Sequence, residues 1–419
     1  MSIRSENKAA LTDTPAKSRR VASNGTTRKK AIRGTSMLRD MNSRRILQLL
    51  RTHQPCSSSD LARFSGLSVP TVVSGVAKME EIGLVKRVGK GWSSGGRPPD
   101  MLAFNESYGY VAGIEIGEGV IRAGIADLSG RMLDESEAEL GDNSWPAAVI
   151  DKIAALLASL RESLRIPAKR MLSVGISAPG ITDVEGGVVV SVPAMQAWEN
   201  VPLRRLLQEK VGLPVTIEND VNVAALGEHS YGVARGEANF VFLHIGRGLG
   251  AGLFINGKLH HGPEWTAGEI GYLQLQAAAV QPVRKSQVGA LEAVIGTAAI
   301  ERQWREGLKS NGANVPADLR SGQILDRARQ GDALALQIVD RCSDYLAMTC
   351  SYLSLILNCS LIVFGGELGV HPALFDATVE RLKGHDFARP RLAVTQLGMM
   401  AELRGALRLA LQVAEATLP

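Results

Sequence analysis

Residues 242–272 read FLHIGRGLGAGLFINGKLHHGPEWTAGEIGY. The pattern predicts an apolar strand from Phe240 to Ile245, a run of glycines at alternate positions, and a second strand from Leu253 to Ile255. The alternate glycines are Gly246, Gly248, Gly250 and Gly252. Because glycine has no Cβ, such a backbone can approach a bound group closely and adopt positive φ at little cost. The alternative is a tight hairpin that merely needs flexible residues.

The segment after this hairpin places an acidic residue between glycines, in the order Ala267-Gly268-Glu269-Ile270-Gly271-Tyr272. Together the two segments resemble the signature of the ROK family, which comprises sugar kinases and sugar-responsive repressors of the NagC/XylR type. In the family's kinases such a hairpin follows the nucleotide phosphates. The resemblance covers about residues 37–419 and implies an α/β fold with two actin-like, RNase H-like lobes.

Length and composition are those of a globular protein with more than one domain. The 419 residues suffice for two or three domains, and a 45% hydrophobic content is ordinary. The four cysteines form no CxxC pair, so we expect no disulfide framework and a cytoplasmic location. The N-terminus lacks the apolar stretch of a secretory signal. The most apolar run, Tyr345 to Phe364, is interrupted by serine and asparagine, which favours a buried helix and strand over a membrane span.

Charge is spread unevenly along the chain. Residues 1–36 hold nine Lys/Arg and two acidic residues, and residues 37–105 hold ten and five. The formal charge of the whole chain is +5, so residues 106–419 carry −7. A basic N-terminal part and an acidic remainder predict that only the N-terminal part binds an anionic polymer. Residues 1–36 show no apolar period and are predicted to form a disordered basic tail.

Residues 37–92 have the pattern of a winged helix-turn-helix domain. Gly66 supplies the tight turn before the third helix, and the basic segment 86–90 (KRVGK) is typical of a wing. Leu61 and Phe64 of the second helix are predicted to face inward. So are three residues of the third helix, Val72, Val76 and Met79. The candidate N-caps are Asn42, Ser58 and Ser68.

This domain predicts binding to a double-stranded DNA operator, although three-helix bundles of this kind also occur in proteins that do not bind DNA. The third helix places short polar side chains and one lysine toward the major groove: Ser68, Thr71, Ser74 and Lys78. Phosphate contacts are expected from the first helix and the wing, through Arg44, Arg45, Lys86, Arg87 and Lys90.

Residues 93–105 begin with SSGGRPP and are predicted to be a linker. ROK repressors carry a similar GRP segment, which resembles an AT-hook. A single Arg97 held between glycine and proline suits a narrow, A·T-rich minor groove. The alternative is a stiff spacer between domains.

The remaining chain predicts two α/β lobes. Residues 106–225 show a β-β-β-α-β-α-β order, which is the half-domain of the RNase H-like fold. The resemblance implies a second lobe over residues 226–399 and a final helix, residues 400–419, that returns to the first lobe. The predicted strands and helices of the first lobe are Val111–Ile116, Val120–Asp127, Met132–Leu140, Trp145–Leu164, Ser173–Ser177, Pro202–Val211 and Val215–Ile217.

The nucleotide site that the resemblance implies is degenerate. ROK kinases have a first hairpin similar to DxGGTK, whereas residues 113–120 here read GIEIGEGV. Glu115 keeps a carboxylate, but Glu118 would direct a negative charge at the phosphates, and Arg247 replaces a threonine in the second phosphate loop. Phosphoryl transfer needs cations around the phosphates, so we expect no kinase activity and no cofactor. We also expect Glu118 and Arg247 to form an ion pair across the cleft.

The sugar site that the resemblance implies matches the family's motifs more closely than the nucleotide site does. Carried over from the family's motifs, the sugar contacts fall on Asn219, Asp220, Glu269 and Glu292. Amide and carboxylate oxygens can accept hydrogen bonds from neighbouring hydroxyls. The family's motif histidine is replaced by Tyr272, which would lie in the same pocket.

The family's zinc cysteines are absent, because residues 277–286 (AAAVQPVRKS) offer no ligand for a soft cation. The pair His260-His261 is not spaced for zinc and is interpreted as two loop residues. The sequence therefore predicts no metal site.

These observations favour a DNA-binding transcriptional regulator, a repressor of carbohydrate genes controlled by a small carbohydrate effector. One alternative is an active ROK sugar kinase with an added DNA-binding domain. Another is a regulator controlled by a protein partner. Because a lone winged helix offers few contacts, we expect a homodimer or homotetramer on an inverted repeat.

Overall fold

The computed structural model describes residues 41–92, 97–117, 119–140, 145–192, 197–275, 281–284, 287–311, 319–384 and 389–418. The chain divides into two compact units, one ending at Asn105 and one running from Glu106 to Leu418. Among the residues that the structure describes, no helix has the length and apolar content needed to cross a membrane. All four cysteines are buried and free.

The first unit is a winged helix-turn-helix, as predicted. Its elements are α1 (residues 41–53), α2 (Ser58–Ser65), α3 (Val69–Glu81), β1 (Val85–Lys90) and β2 (Asp100–Phe104). The two strands pair antiparallel, with Val85 opposite Phe104. The inward faces of the helices meet over this hairpin, and the core residues include Ile46, Leu50, Leu61, Val72, Val76, Met79, Leu84 and Phe104.

Three details of the helices differ from the prediction. The N-cap of α2 is Ser57 rather than Ser58, because Ser57 and Asp60 form a reciprocal capping box that fixes the helix start. Asn42 lies within α1 and so does not cap it. Phe64 is 38% exposed, and its ring lies beside that of His53 instead of entering the core.

The predicted linker, residues 93–105, is partly wrong. Residues 100–104 form β2, which pairs with β1 through backbone hydrogen bonds and buries Leu102 and Phe104. The apolar residues Met101, Leu102 and Phe104 supply the side chains for this strand. Residues 93–96, like the predicted tail over 1–36, lie outside the described residues.

The second unit begins with a five-stranded sheet in the order β5-β4-β3-β6-β9. Its strands are β3 (Tyr110–Ile116), β4 (Val120–Asp127), β5 (Met132–Glu139), β6 (Met171–Ala178) and β9 (Val215–Asn219). Strand β4 pairs antiparallel with both β3 and β5, whereas β6 pairs parallel with both β3 and β9. This lobe also contains α4 (Pro146–Ser163), the small hairpin β7 (Ile181–Asp183) and β8 (Val188–Ser191), and α5 (Leu203–Val211).

A second five-stranded sheet repeats this plan, in the order β12-β11-β10-β13-β14. Strand β11 pairs antiparallel with both β10 and β12, and β13 pairs parallel with both β10 and β14. The strands are β10 (Phe240–Ile245), β11 (Leu249–Ile255), β12 (Lys258–Leu259), β13 (Leu361–Gly365) and β14 (Arg391–Val394). The helices that follow β9 along the chain are α6 (Asp220–Tyr231), α7 (Glu292–Ile295), α8 (Thr297–Asn311), α9 (Ser321–Arg329), α10 (Ala333–Leu357), α11 (Gly366–Gly369), α12 (Pro372–Leu382) and α13 (Ala401–Thr417). The duplicated lobe confirms the predicted actin-like, RNase H-like architecture.

The prediction that the second strand of the glycine hairpin starts at Leu253 is wrong, because β11 already begins at Leu249. Gly250 and Gly252 pair with residues of β10 and are therefore strand residues. A Cβ on Gly252 would lie 2.6 Å from the Cβ of Ala225, so this glycine allows α6 to pack directly on the strand. In the turn, a Cβ on Gly248 would meet no described atom within 4 Å, whereas one on Gly246 would lie 3.2 Å from His244 Nε2.

The last helix, α13, packs on β3 and β6 of the first sheet and on α6. Glycines make this contact close: a Cβ on Gly405 would lie 1.9 Å from the carbonyl oxygen of Val223, and one on Gly175 would lie 2.1 Å from that of Ala406. The helix therefore brings its own first turn to the carboxyl ends of the parallel strands.

Candidate functional site

The third helix of the winged unit presents a polar face with two valines on it. Ser68 caps α3: its Oγ accepts the Thr71 amide at 3.3 Å and lies 2.7 Å from the Thr71 Oγ1. Ser74 and Lys78 are exposed further along the helix. Val69 and Val73 are also exposed, at 46% and 49%, so this face combines hydroxyls, one lysine and methyl groups. Such groups can contact base edges and thymine methyls in a major groove.

Two of the predicted phosphate-binding cations are already paired with acidic side chains. The Arg87 guanidinium donates to both carboxylate oxygens of Glu80, at 2.7 and 3.0 Å, and to Asp100 at 2.9 Å. Lys90 also bonds Asp100. Lys78 and Lys86 have no ion-pair partner among the described residues. The positive charge of the wing is therefore partly neutralised at Arg87 and Lys90, a pairing that the sequence reading missed.

Asp100→Asn should strengthen DNA binding about three-fold at 0.1 M salt, because it returns one positive charge to the wing. The slope of log affinity against log salt should steepen by about one. Fluorescence anisotropy with a labelled duplex measures both quantities. Glu81→Gln, which changes the net charge equally at the exposed end of α3, is the matched control. Equal gains from both variants would show a general charge effect and contradict this assignment.

In the second unit, Glu115, the carboxylate kept in the predicted degenerate nucleotide site, is hydrogen-bonded to a neighbouring arginine. Glu115 on β3 is buried, and its Oε1 accepts a hydrogen bond from Arg122 on β4 at 2.5 Å. Arg122 stands directly opposite Glu115 in the antiparallel register. The sequence reading did not include Arg122, although its place in the hairpin could have suggested it. Glu118 lies outside the described residues, so its ion pair with Arg247 stays a prediction.

The Asn219-Asp220 pair forms the corner between β9 and α6. Asn219 is the N-cap of α6: its Oδ1 accepts the Asn222 amide, and its Nδ2 donates to Gly180 O and to Asp220 Oδ1. Burial raises the pKa of Asp220 to about 6. Asn219 thus shapes the corner and orients Asp220, which remains partly exposed.

The other predicted sugar contacts come together near the start of β11. Glu269 opens the short turn that ends at Tyr272, and Glu292 is the first residue of α7. Glu292 Oε2 accepts the Leu249 amide at 3.1 Å. Burial raises the pKa of the Tyr272 hydroxyl, and the nearby Glu269 and Glu292 carboxylates raise it further. The structure therefore groups Glu269, Tyr272 and Glu292.

A histidine that the sequence reading assigned to a loop links these two groups. His261 Nε2 lies 2.7 Å from Glu218 Oε2, directly before the Asn219-Asp220 corner. Its carbonyl oxygen accepts the Ala267 amide, just before Glu269. The hydrogen bond to Glu218 raises the pKa of His261. Glu218 is buried and also accepts from Asn219 and Asn222, so the pair fixes both parts of the site.

A further carboxylate enters from the C-terminal helix. Glu402 lies in the first turn of α13, and its Oε2 accepts a hydrogen bond from Ser177 Oγ at 3.2 Å. Burial, followed by the charges of Asp220 and Glu115, raises the pKa of Glu402 well above its ordinary value. Nothing in the local sequence around Glu402 signals this position, because only the fold brings residues 115, 220 and 402 together.

No group of three or more His, Cys, Asp or Glu side chains that could hold a metal ion is found within the described ranges. Residues 276–280 and 285–286, in the segment where zinc ligands were sought, lie outside those ranges. The predicted absence of a metal site stays a prediction.

Comparisons with known proteins agree with this architecture. The ROK family model matches residues 111–413, and the MarR family model matches residues 40–89. The xylose repressor of Bacillus subtilis is 30% identical over 240 residues, which is 57% of this chain and 62% of that repressor. A glucokinase of Halalkalibacterium halodurans is 29% identical over 68% of this chain and 88% of its own length.

A crystal structure of a ROK family transcriptional regulator, a homologue of the E. coli MLC protein, has a similar fold, with a TM-score of 0.74. It is 21% identical and covers 90% of this chain and 97% of its own. The ROK model thus matches most of the residues beyond Asn105. The chain belongs to the ROK family.

Proposed function

We propose that this protein is a DNA-binding transcriptional repressor of carbohydrate genes, and that a small sugar-like effector in the cleft of the second unit controls it. The winged unit supplies DNA recognition through α3, with phosphate contacts from Arg44, Arg45 and Lys86. The effector site comprises Asp220, Glu269, Tyr272 and Glu292, with Asn219 and His261 positioning its two halves. Arg97 contacts the minor groove beside each half-site.

One observation supports this proposal most strongly: a DNA-binding unit precedes a kinase-type fold whose first-hairpin carboxylate is bound by Arg122. A carboxylate that organises Mg²⁺ beside phosphates must have oxygens available for the ion and its waters. In Glu115 one oxygen is bonded to a guanidinium, and the whole residue is buried. The site can still bind a sugar, but it is poorly suited to binding a magnesium nucleotide.

A sugar kinase is the second candidate, and one observation favours it. Asp220, with its pKa raised to about 6, is suited to accept a proton from a sugar hydroxyl. A similar fold and a general base are not sufficient, however, because phosphoryl transfer depends on cations that neutralise the phosphates. Glu115 and Glu402 are acidic side chains in the same region, so neither supplies such a cation.

The purified protein should therefore release no ADP above background with ATP, Mg²⁺ and any sugar of a broad panel. A coupled ADP-release assay measures this, with an authentic ROK glucokinase as the positive control. Turnover near ~1 per second with any sugar, the low end for kinases, would contradict the proposal.

The operator should be an inverted repeat, because we propose that the protein binds DNA as a homodimer or homotetramer. Genome-wide mapping of bound DNA would identify it. A repeated motif upstream of transport or catabolic genes would support the proposal. The absence of a shared motif would count against it.

A further inference from the structure

The carboxyl ends of the parallel strands in the first lobe bring together acidic side chains from distant parts of the chain. Glu115 on β3 is opposite Ser177 on β6, which is opposite Glu218 on β9. Asp220 follows as the first residue of α6, and Glu402 reaches the same place from α13 by its hydrogen bond to Ser177. We call Glu115, Asp220 and Glu402 the carboxylate cluster.

The cluster has more acidic groups than its neighbouring cation can pair. Arg122 donates to Glu115 Oε1 and also lies 3.4 Å from Glu137, an exposed acid on β5. Glu115 Oε2 is buried and has no hydrogen-bond partner among the described residues. This is an unpaired acceptor on a side chain that is 93% buried. A buried carboxylate oxygen without a donor is costly, so a donor from a ligand would stabilise it.

The electrostatics show that the three carboxylates interact. Burial raises the pKa of Glu115 although Arg122 opposes the effect, and Asp220 raises it further. The N-termini of α6 and α13 favour negative charge at Asp220 and Glu402, but a helix end supplies only about half a charge. A cation bound among these carboxylates would oppose the rise in their pKa values and favour their ionised forms.

The cluster is partly open to solvent. Asp220 and Glu402 are both half-buried, whereas Glu115 is buried. Asp220 is also one of the predicted sugar contacts, so a carbohydrate bound there would place its substituents beside Glu402. A hydroxyl could donate one hydrogen bond to the cluster but could not neutralise it. An ammonium group has three donors and a positive charge.

We propose that the carboxylate cluster binds the protonated amine of the effector, which is therefore an amino sugar or aminopolyol rather than a neutral sugar. This inference rests on the proposed function, because it names the ligand class of the same cleft. The hydroxyls of the ligand contact Glu269 and Glu292, while its ammonium lies between Asp220 and Glu402 and donates toward Glu115 Oε2.

Matched ligand pairs test the proposal by calorimetry on the full chain. The probes are D-glucosamine with D-glucose, D-mannosamine with D-mannose, and D-glucamine with D-sorbitol, which differ only in an amine for a hydroxyl. In at least one pair, the amine should bind about ten-fold tighter or more. Its binding should release protons, seen as a heat that varies with the buffer's ionisation enthalpy. N-acetylation, which removes the charge, should abolish the preference.

Glu402→Gln should reduce the amine preference to less than about two-fold, because the affinity for the amine should fall more than the affinity for its hydroxyl partner. Thermal unfolding checks that this variant folds. Its Tm should not fall, because glutamine keeps an oxygen that can accept the Ser177 hydroxyl. Glu415→Gln on the same helix, where Glu415 pairs with Arg408, is the matched control and should keep the preference.

The proposal is overturned if no pair shows a preference or proton release, or if Glu402→Gln keeps the preference. It is also overturned if Mg²⁺ or Ca²⁺ competes with the amine at micromolar concentration, since the cluster would then be a metal site. DNA binding measured on the same preparation separates the two hypotheses. Specific DNA binding that responds only to neutral sugars would support the proposed function and contradict the proposal of a cationic ligand. A preparation without specific DNA binding would remove the proposed function instead.

Discussion

Replacing Gly405 by alanine should lower the free energy of unfolding of the second unit by about 3 kcal/mol. The added Cβ would lie 1.9 Å from the carbonyl oxygen of Val223, which belongs to the backbone of α6 and cannot rotate away. Helix α13 would have to move off α6, and the leucine and alanine side chains that it buries would lose contacts. Differential scanning calorimetry should show a Tm lower by about 5 °C or more.

The matched control is Gly322→Ala in α9, where a Cβ would meet no atom within 4 Å. There alanine should add up to about 1 kcal/mol, because it has a higher helix propensity than glycine. Opposite shifts in the two variants would locate the effect in the contact between α13 and α6. If Gly405→Ala has the same Tm as the wild-type protein, the close approach of α13 to α6 described above is wrong.

Asp220→Asn and Glu269→Gln should each weaken effector binding by about 1.5–3 kcal/mol, or roughly ten- to 150-fold. Asp220 belongs to the Asn219-Asp220 corner and Glu269 to the segment that ends at Tyr272, so a ligand that needs both must bridge the two. Asparagine retains an oxygen to accept the Val221 amide, so the corner itself should survive. Calorimetry at pH 7.5, where Asp220 is ionised because its pKa is about 6, measures the loss.

Glu209→Gln on α5 is the control, because Glu209 is an exposed acid that pairs with Arg205. It removes one negative charge from the same unit and should leave the effector's affinity unchanged. A ligand whose affinity survives both Asp220→Asn and Glu269→Gln would place the pocket elsewhere in the chain.

Much of the fold could be predicted from the sequence because the signal is local. Strands β3, β4 and β5, separated by short turns, show the apolar patterns of a three-stranded meander, and predicted bounds differ from observed ones by about a residue. The glycine hairpin was misread because glycine in a strand has two meanings. Gly252 is small to admit Ala225 of a packed helix, and that neighbour is distant in sequence.

The site was harder to predict because several of its residues are distant in sequence and meet only in the folded chain. Asp220, Glu269 and Glu292 belong to recognisable segments, whereas Arg122 and Glu402 matter only through the register of β3 with β4 and the return of α13. The wing shows the converse error. Arg87 and Lys90 looked like cations available for DNA until the strand pairing brought Asp100 beside them.

The central claim is that a ligand in the cleft of the second unit controls DNA binding by the winged unit. Its most direct test is the affinity of the full-length protein for a labelled duplex carrying the mapped operator, measured by fluorescence anisotropy with and without the ligand that calorimetry identifies. We expect binding at least ~1,000-fold tighter than to an unrelated duplex. Saturating ligand should change that affinity by about ten-fold or more, and the change should disappear in Asp220→Asn. Equal affinity for both duplexes, or an operator affinity that no cleft ligand alters, would contradict the account.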